Sequence, residues 1–231
     1  VWGFTADPDE TFAVVQAIDT DIIAFQELRP TLQGKIKSEL DSKYPYQTSK
    51  VIQGFDGLAL ISRFPILESQ IELDIDFDNI DLEPVRYLRA VVDINGQHVV
   101  VYVFHPPIAQ FQTFRSYDDT YNRNNYRQLV ELIRAESDPT LLLCDCNFTP
   151  RTWQYTWINN LLDDSFFESG WGFGLSYPAS GTTPGMPFPG VRIDYIWHSG
   201  AFTALEAKVW DDNGTSDHHP MWARLVLHSP E

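Results

Sequence analysis

The sequence predicts an α/β protein built on sheets packed face to face and covered by helices. Three observations predict it. Residues 46–104 carry strand patterning around a strong hairpin signal, helical patterns flank that stretch on both sides, and apolar strand-like runs return towards the C-terminus. No solenoid-period repeat and no low-complexity linker interrupts the chain, so residues 1–231 read as a single domain. At 231 residues, 43% hydrophobic and 14% aromatic, the chain can bury one large core.

The elements follow in order. Asp7-Pro8, then Glu10 and the apolar positions Phe12, Val14, Val15 and Ile18, predict a capped helix with proline in its first turn. Residues 21–27 read as a buried strand ending in an acid, and a short helix covers 31–40. Strands are expected at 47–53 and 58–62, with Arg63-Phe64-Pro65 turning the chain. Residues 85–94 and 97–104 flank Asn95-Gly96, the strongest short-range hairpin signal. A helix is predicted over 122–134, and strands at 140–144, 192–197, 203–210 and 221–227. The stretch 178–190 holds four prolines and three glycines and must be a loop.

Bulk chemistry narrows the function. No apolar run reaches the roughly 20 residues a membrane-crossing helix needs. The chain opens at Val1 without methionine, which reads as a processed or trimmed piece, so that any targeting segment would have been cut away. The formal charge is −16, from 32 acids against 16 bases. Such a surface repels phosphate backbones, so a general electrostatic footprint for nucleic acid is excluded. It leaves two uses for the acids: solubility, or a local cation site that meets an anionic substrate in place of lysine. Cys144 and Cys146 lie two apart on a predicted strand, too far separated for an easy bridge, and read as packed thiols.

The informative residues are the polar ones at strand ends. Glu27 closes one strand, His105 another, and Asp145 and Asn147 follow a third; Asp194 sits inside Arg-Ile-Asp-Tyr-Ile, and Asp217-His218 precede the last strand. Each has a bland reading: a solvated acid, an Asx turn, an end-of-strand histidine. Taken singly, those readings win or tie. An unpaired charge beside apolar strands costs several kcal/mol, however, so half a dozen arriving together argue for one shared site.

In this order the motifs FQE (25–27), GLALISRFPI (57–66), VFHPP (103–107), CDCNFTP (144–150), RIDYI (192–196) and SDHHP (216–220) resemble those of the endonuclease/exonuclease/phosphatase superfamily. The likeness runs from about residue 19 to 227. It implies a four-layered α/β sandwich with two central, mostly antiparallel sheets flanked by helices, and hydrolysis of phosphoester bonds with a divalent cation, magnesium or manganese. It also implies that His105 contacts the phosphate or assists the leaving group.

The residue types suit that chemistry. An anionic phosphoester repels hydroxide, so a cation must withdraw charge and a base must activate water. Magnesium prefers oxygen ligands and keeps several waters, which suits a site of one or two carboxylates; Glu27 and Asp217 are the candidates. His218 is expected as general base or electrostatic stabiliser, with Asp194 holding its other ring nitrogen. Asp145 would align or deprotonate the attacking water, and Asn147 would hydrogen-bond a phosphoryl oxygen. Neighbouring side chains on a strand diverge, so only one of His218 and His219 can face the site, and the motif favours His218.

Two departures stand out. The family's first strand, ending in an asparagine, has no counterpart before the first helix, so the domain is expected to lack that strand or one ligand. The usual Gly-Asp-Phe-Asn is here Cys144-Asp145-Cys146-Asn147. The segment 153–177 is rich in aromatics, read either as packing or as a wall that stacks a base or sugar or meets a lipid. Its GWGFG, with the loop into RIDYI, is similar to a bacterial subgroup tethered to membranes by an upstream segment, which would place the domain outside the cytoplasm. Arg86, Arg89, Arg123 and Arg127 read as salt-bridge partners in preference to phosphate ligands. The functional expectation is a magnesium-dependent phosphodiesterase or nuclease. The alternatives are a monoesterase on a small, sugar or lipid-linked phosphate and, in another class, a non-catalytic binding module. Nothing calls for a protein partner.

Overall fold

Alternation of side chains along the central strands divides the molecule into layers. The computed structural model describes residues 7–51, 57–73, 86–106, 110–113, 116–118, 120–179 and 190–229. Its first half runs α1 (Pro8–Ile18), β1 (Ile22–Phe25), α2 (Pro30–Glu39), β2 (Tyr46–Lys50), β3 (Leu58–Ser62), β4 (Ile66–Glu72), β5 (Tyr87–Ile94), β6 (Gln97–Phe104), β7 (Gln110–Thr113) and β8 (Ser116–Asp118). Next come α3 (Thr120–Ala135), β9 (Thr140–Asp145), α4 (Trp153–Asn159), β10 (Asp163–Asp164), α5 (Ser165–Ser169), β11 (Asp194–His198), β12 (Phe202–Val209) and β13 (Met221–Leu227).

One sheet has six strands in the order β10-β11-β9-β6-β5-β4, antiparallel except for the parallel pair β6 and β9. Facing it is a second layer in two parts, β1-β3-β2 and the hairpin β12-β13. On β6, Val99, Val101 and Val103 point into the core between the layers, while Val100, Tyr102 and Phe104 point to the core under α3 and α4. On β3, Leu58 and Leu60 join the inter-sheet core, whereas Ala59 and Ile61 join the core beneath α1 and α2. The layers are therefore helix, sheet, sheet, helix. This is the expected α/β sandwich. Strands buried on both faces read as continuous apolar runs, which is why the valines of β6 show no polar alternation.

The predicted starts and stops hold where local chemistry sets them. Asp7 caps α1, its Oδ1 accepting from Asp9 N at 2.8 Å and Glu10 N at 3.4 Å. Asn95 and Gly96 have φ of 56° and 91°, the backbone that a two-residue hairpin joining twisted strands requires. β4 escapes the sequence pattern because its middle residues, Leu67 to Gln70, are exposed. The short helices α4 and α5 and the hairpin β7-β8 were likewise not foreseen. Of the proline-glycine loop, 180–189 lie outside the described residues. Among the described residues no helix is long and apolar enough to cross a membrane.

One expectation is overturned. Cys144 and Cys146 form a disulfide. A regular strand would hold them too far apart, but β9 ends at Asp145, so Cys146 lies beyond the regular strand, where the chain leaves its extended path. The Cα atoms come within 5.0 Å, inside the range a disulfide spans.

Candidate active site

Strand register assembles the site. Leu141 and Leu143 of β9 point into the inter-sheet core, so alternation sends Asp145 to the same face at the strand end. β11 pairs Asp194 directly with Asp145, and β6 pairs Phe104 with Cys144, which sets His105 beside Asp145. Three adjacent strands thus present a row of His105, Asp145 and Asp194. His105 Nε2 lies 3.6 Å from Asp145 Oδ2 and 3.7 Å from Glu27 Oε1. Glu27 comes from the opposite layer, two residues past β1, in a left-handed conformation with φ 51°. A non-glycine residue there is uncommon and clusters at functional positions.

The segment before β13 closes the row. His218 Nδ1 is 2.9 Å from Asp194 Oδ2, and its Nε2 is 3.7 Å from Asp145 Oδ2. The ring also lies against Tyr177, with centroids 4.7 Å apart. His219 turns away, its Nδ1 3.0 Å from the Trp210 carbonyl. Asn147 donates from its backbone N to Asp145 Oδ1 at 3.2 Å and from Nδ2 to the Pro106 carbonyl at 3.1 Å. Asp217 is joined to none of these by a hydrogen bond, and its Oδ1 is sealed from solvent without a hydrogen-bond partner.

Electrostatics sort the three central groups. Burial raises the Asp145 carboxyl, and the neighbouring Asp194 charge raises it further, against a smaller opposing pull from His218, to about 7. Burial would raise Asp194 as well, but the His218 charge and hydrogen bond outweigh it and hold Asp194 below the usual carboxylate range. Burial alone would discharge His218, yet Asp194 and then Asp145 lift it to about 9. The site therefore holds a charged imidazolium, a charged orienting carboxylate and a carboxyl poised near neutrality.

The acidic end of the site suits a divalent cation. Asp145, Asp194 and His218 bring carboxylate and ring atoms within 4.8 Å of one another, although the His218 imidazolium would have to lose its proton before it could coordinate. The orphaned Asp217 oxygen adds a buried acceptor that a cation would satisfy.

Sequence reasoning did not find Ser176 or Tyr177. Ser176 Oγ accepts from Ile193 N at 3.2 Å and Asp194 N at 3.3 Å, fixing the strand that carries Asp194. Nothing in Gly-Leu-Ser-Tyr-Pro signals that role, because it depends on a contact across 18 residues. The predicted salt-bridge use holds for Arg89, which pairs with Glu136 and Glu68, whereas Arg123 stacks over Trp153 at 4.5 Å. The aromatic segment divides: Trp153, Trp157 and Phe166 pack, whereas Phe167, Trp171 and Phe173 are exposed.

The family model described as "Endonuclease/Exonuclease/phosphatase family" matches residues 1–218. No curated protein matches the chain. Among solved structures, an endonuclease/exonuclease/phosphatase from Bacteroides vulgatus superposes with a TM-score of 0.74 at 14% identity, covering 96% of this chain and 90% of that one. TDP2 of D. rerio, complexed with single strand DNA product, gives a TM-score of 0.72 at 18% identity, covering 95% and 92%. A mannosyl-6-phosphatase from Bacteroides thetaiotaomicron gives 0.64 at 16% identity, covering 95% and 90%. At these identities the likeness is one of fold.

Proposed function

The chain belongs to the endonuclease/exonuclease/phosphatase family of phosphoester hydrolases, and from that premise we propose that it is a magnesium-dependent phosphodiesterase or nuclease-type enzyme. The observation that carries this reading is His218, fastened through Nδ1 to Asp194 with Nε2 directed at Asp145. That arrangement supports in-line water attack on a phosphoester.

A bound divalent cation would withdraw charge from the phosphoryl oxygens. Glu27 and Asp217 are the carboxylates we assign to hold it, the second because its buried oxygen lacks any other partner. Asp145, near neutrality, orients the attacking water and takes its proton. His218 is already charged at pH 7, so of the two roles open to it the electrostatic one is favoured: the imidazolium faces the charge that builds on the phosphoryl group. Asp194 fixes the ring's orientation and stabilises the imidazolium without taking its proton, the role the carboxylate plays in a serine-protease triad. Asn147 spends one amide hydrogen on Pro106 and keeps the other for a phosphoryl oxygen. To His105, beside Asp145 and Glu27, we assign contact with the phosphate or assistance to the leaving group.

A non-catalytic module on this scaffold would have no need to keep the row and the His218–Asp194 pair together. Hydrolysis of a chromogenic phosphodiester and a chromogenic phosphomonoester, each with and without magnesium, tests the reading. Magnesium-dependent turnover of the diester is expected, falling about 100-fold or more in His218→Ala and in Glu27→Ala. Turnover that ignores magnesium, or survives both substitutions, would sink it. Faster cleavage of the monoester would move the assignment to a phosphatase acting on a small, sugar or lipid-linked phosphate.

A further inference from the structure

Three large rings stand in solvent within seven residues: Phe167 is 83% exposed, Trp171 95% and Phe173 85%. Scattered apolar residues on a surface need no explanation, but these three fall within one short segment whose base is closely packed. A Cβ at Gly170 would lie 2.6 Å from the Phe166 ring, and one at Gly174, where φ is 64°, would lie 2.7 Å from it. Only glycine lets the loop press this closely on Phe166, which in turn packs under the Arg192 guanidinium at 5.1 Å. The loop is therefore fastened to the core, while its rings face outward instead of folding back.

We propose that Phe167, Trp171 and Phe173, at the head of the segment that runs into the catalytic site, form a docking surface for a neutral, zwitterionic phospholipid bilayer. The loop leads directly into Ser176, which fixes the Asp194 strand, and Tyr177, which lies against His218. Phe173 is three residues from Ser176, a separation of at most about 11 Å along the chain. Charge selects the partner. The only charged side chain between 165 and 177 is Glu168, and it is committed to His198 at 2.8 Å. The segment itself carries no cation, and Lys208, beside the Gly170–Ala207 bridge, is paired with Glu206 at 3.7 Å, so on a chain of net charge −16 a polyanion or an anionic membrane is disfavoured. Aromatic rings with a neutral surround are the side chains that settle at the headgroup level of a bilayer. A small-molecule stacking site, by contrast, would shelter its rings between walls, and these rings are almost wholly bare.

This inference goes beyond the proposed reaction and is tested apart from it. Co-sedimentation with phosphatidylcholine vesicles compares the unmodified chain with the triple variant Phe167→Ser, Trp171→Ser, Phe173→Ser. The unmodified chain is expected to sediment, the variant to bind at least tenfold more weakly, and replacing part of the phosphatidylcholine with phosphatidylserine to weaken binding at low salt. Magnesium-dependent turnover of a soluble chromogenic diester is expected to be the same in both proteins, which shows that the variant folds and separates failure here from failure of the catalytic reading. The proposal is overturned if the unmodified chain does not sediment, if the variant sediments equally, or if the rings instead govern binding of a single-stranded oligonucleotide.

Discussion

His218 is the residue on which the site turns, and its protonation is measurable. Its folded value, about 9, lies above the ordinary imidazole value, so the His218–Asp194 pair stabilises the fold fully below about pH 6.5 and loses that contribution as pH rises towards 9. Asp194 runs the other way: its carboxyl is depressed, so its contribution is present above the usual carboxylate range and is lost on acidification. In magnesium-free protein, NMR titration of His218 is expected to give a midpoint well above that of a free histidine, and Asp194→Asn to lower it by about one unit or more. An unshifted His218, or one indifferent to Asp194→Asn, would contradict the pairing. At this scale the sequence was informative about identity and silent about geometry. Glu27, His105, Asp145, Asp194 and His218 could all be picked out because charge beside apolar strands demands a partner. Ser176 and Tyr177 could not, since serine and tyrosine in a loop carry no such demand.

Elements were legible where the chain states its own boundary. Asp7 before Pro8 announces α1, and replacing Asp7 with Ala is expected to cost about 1 kcal/mol in urea unfolding by removing acceptors for two backbone amides. Asn95-Gly96 announces the β5–β6 turn; Gly96→Ala, at φ 91°, is expected to destabilise by on the order of 1 kcal/mol although a Cβ there meets nothing within 4 Å. A loss confined to crowded positions, with Gly96→Ala neutral, would show that the turn tolerates a side chain. β4 was missed because its exposed residues, Leu67 to Gln70, are mostly polar and, among the described residues, it pairs only with β5. The cysteines were misjudged for a related reason: the spacing rule for a strand was applied one residue past the strand's end.

For the molecule as a whole, the six-stranded sheet supplies His105, Asp145 and Asp194, while the facing layer supplies Glu27, through β1, and Asp217 and His218, through β13. Sequence order alone could not reveal that division. Beside the site, between β1 and β13, lies a largely apolar cavity of about 520 Å³ whose lining includes Ile22, Ala24, Leu143, Met221, Asp194 and His218. Among the described residues β1 pairs only with β3, and β13 only with β12, so no ladder spans this gap. The two parts of the facing layer are thus not joined by a strand ladder at this end, and both pack on the six-stranded sheet through the inter-sheet core. An ion gripped by Glu27 of one part and Asp217 of the other would act as a rivet, with cohesion of the two parts and ion affinity drawn from the same contacts. At a hundred times its dissociation constant such an ion adds about 2.7 kcal/mol, or roughly 5–10 °C of melting temperature for a chain of this size. Calorimetry with and without magnesium should show that rise in the unmodified chain and little of it in Glu27→Ala; equal melting in all four samples would mean that the two parts of the layer hold together without the rivet.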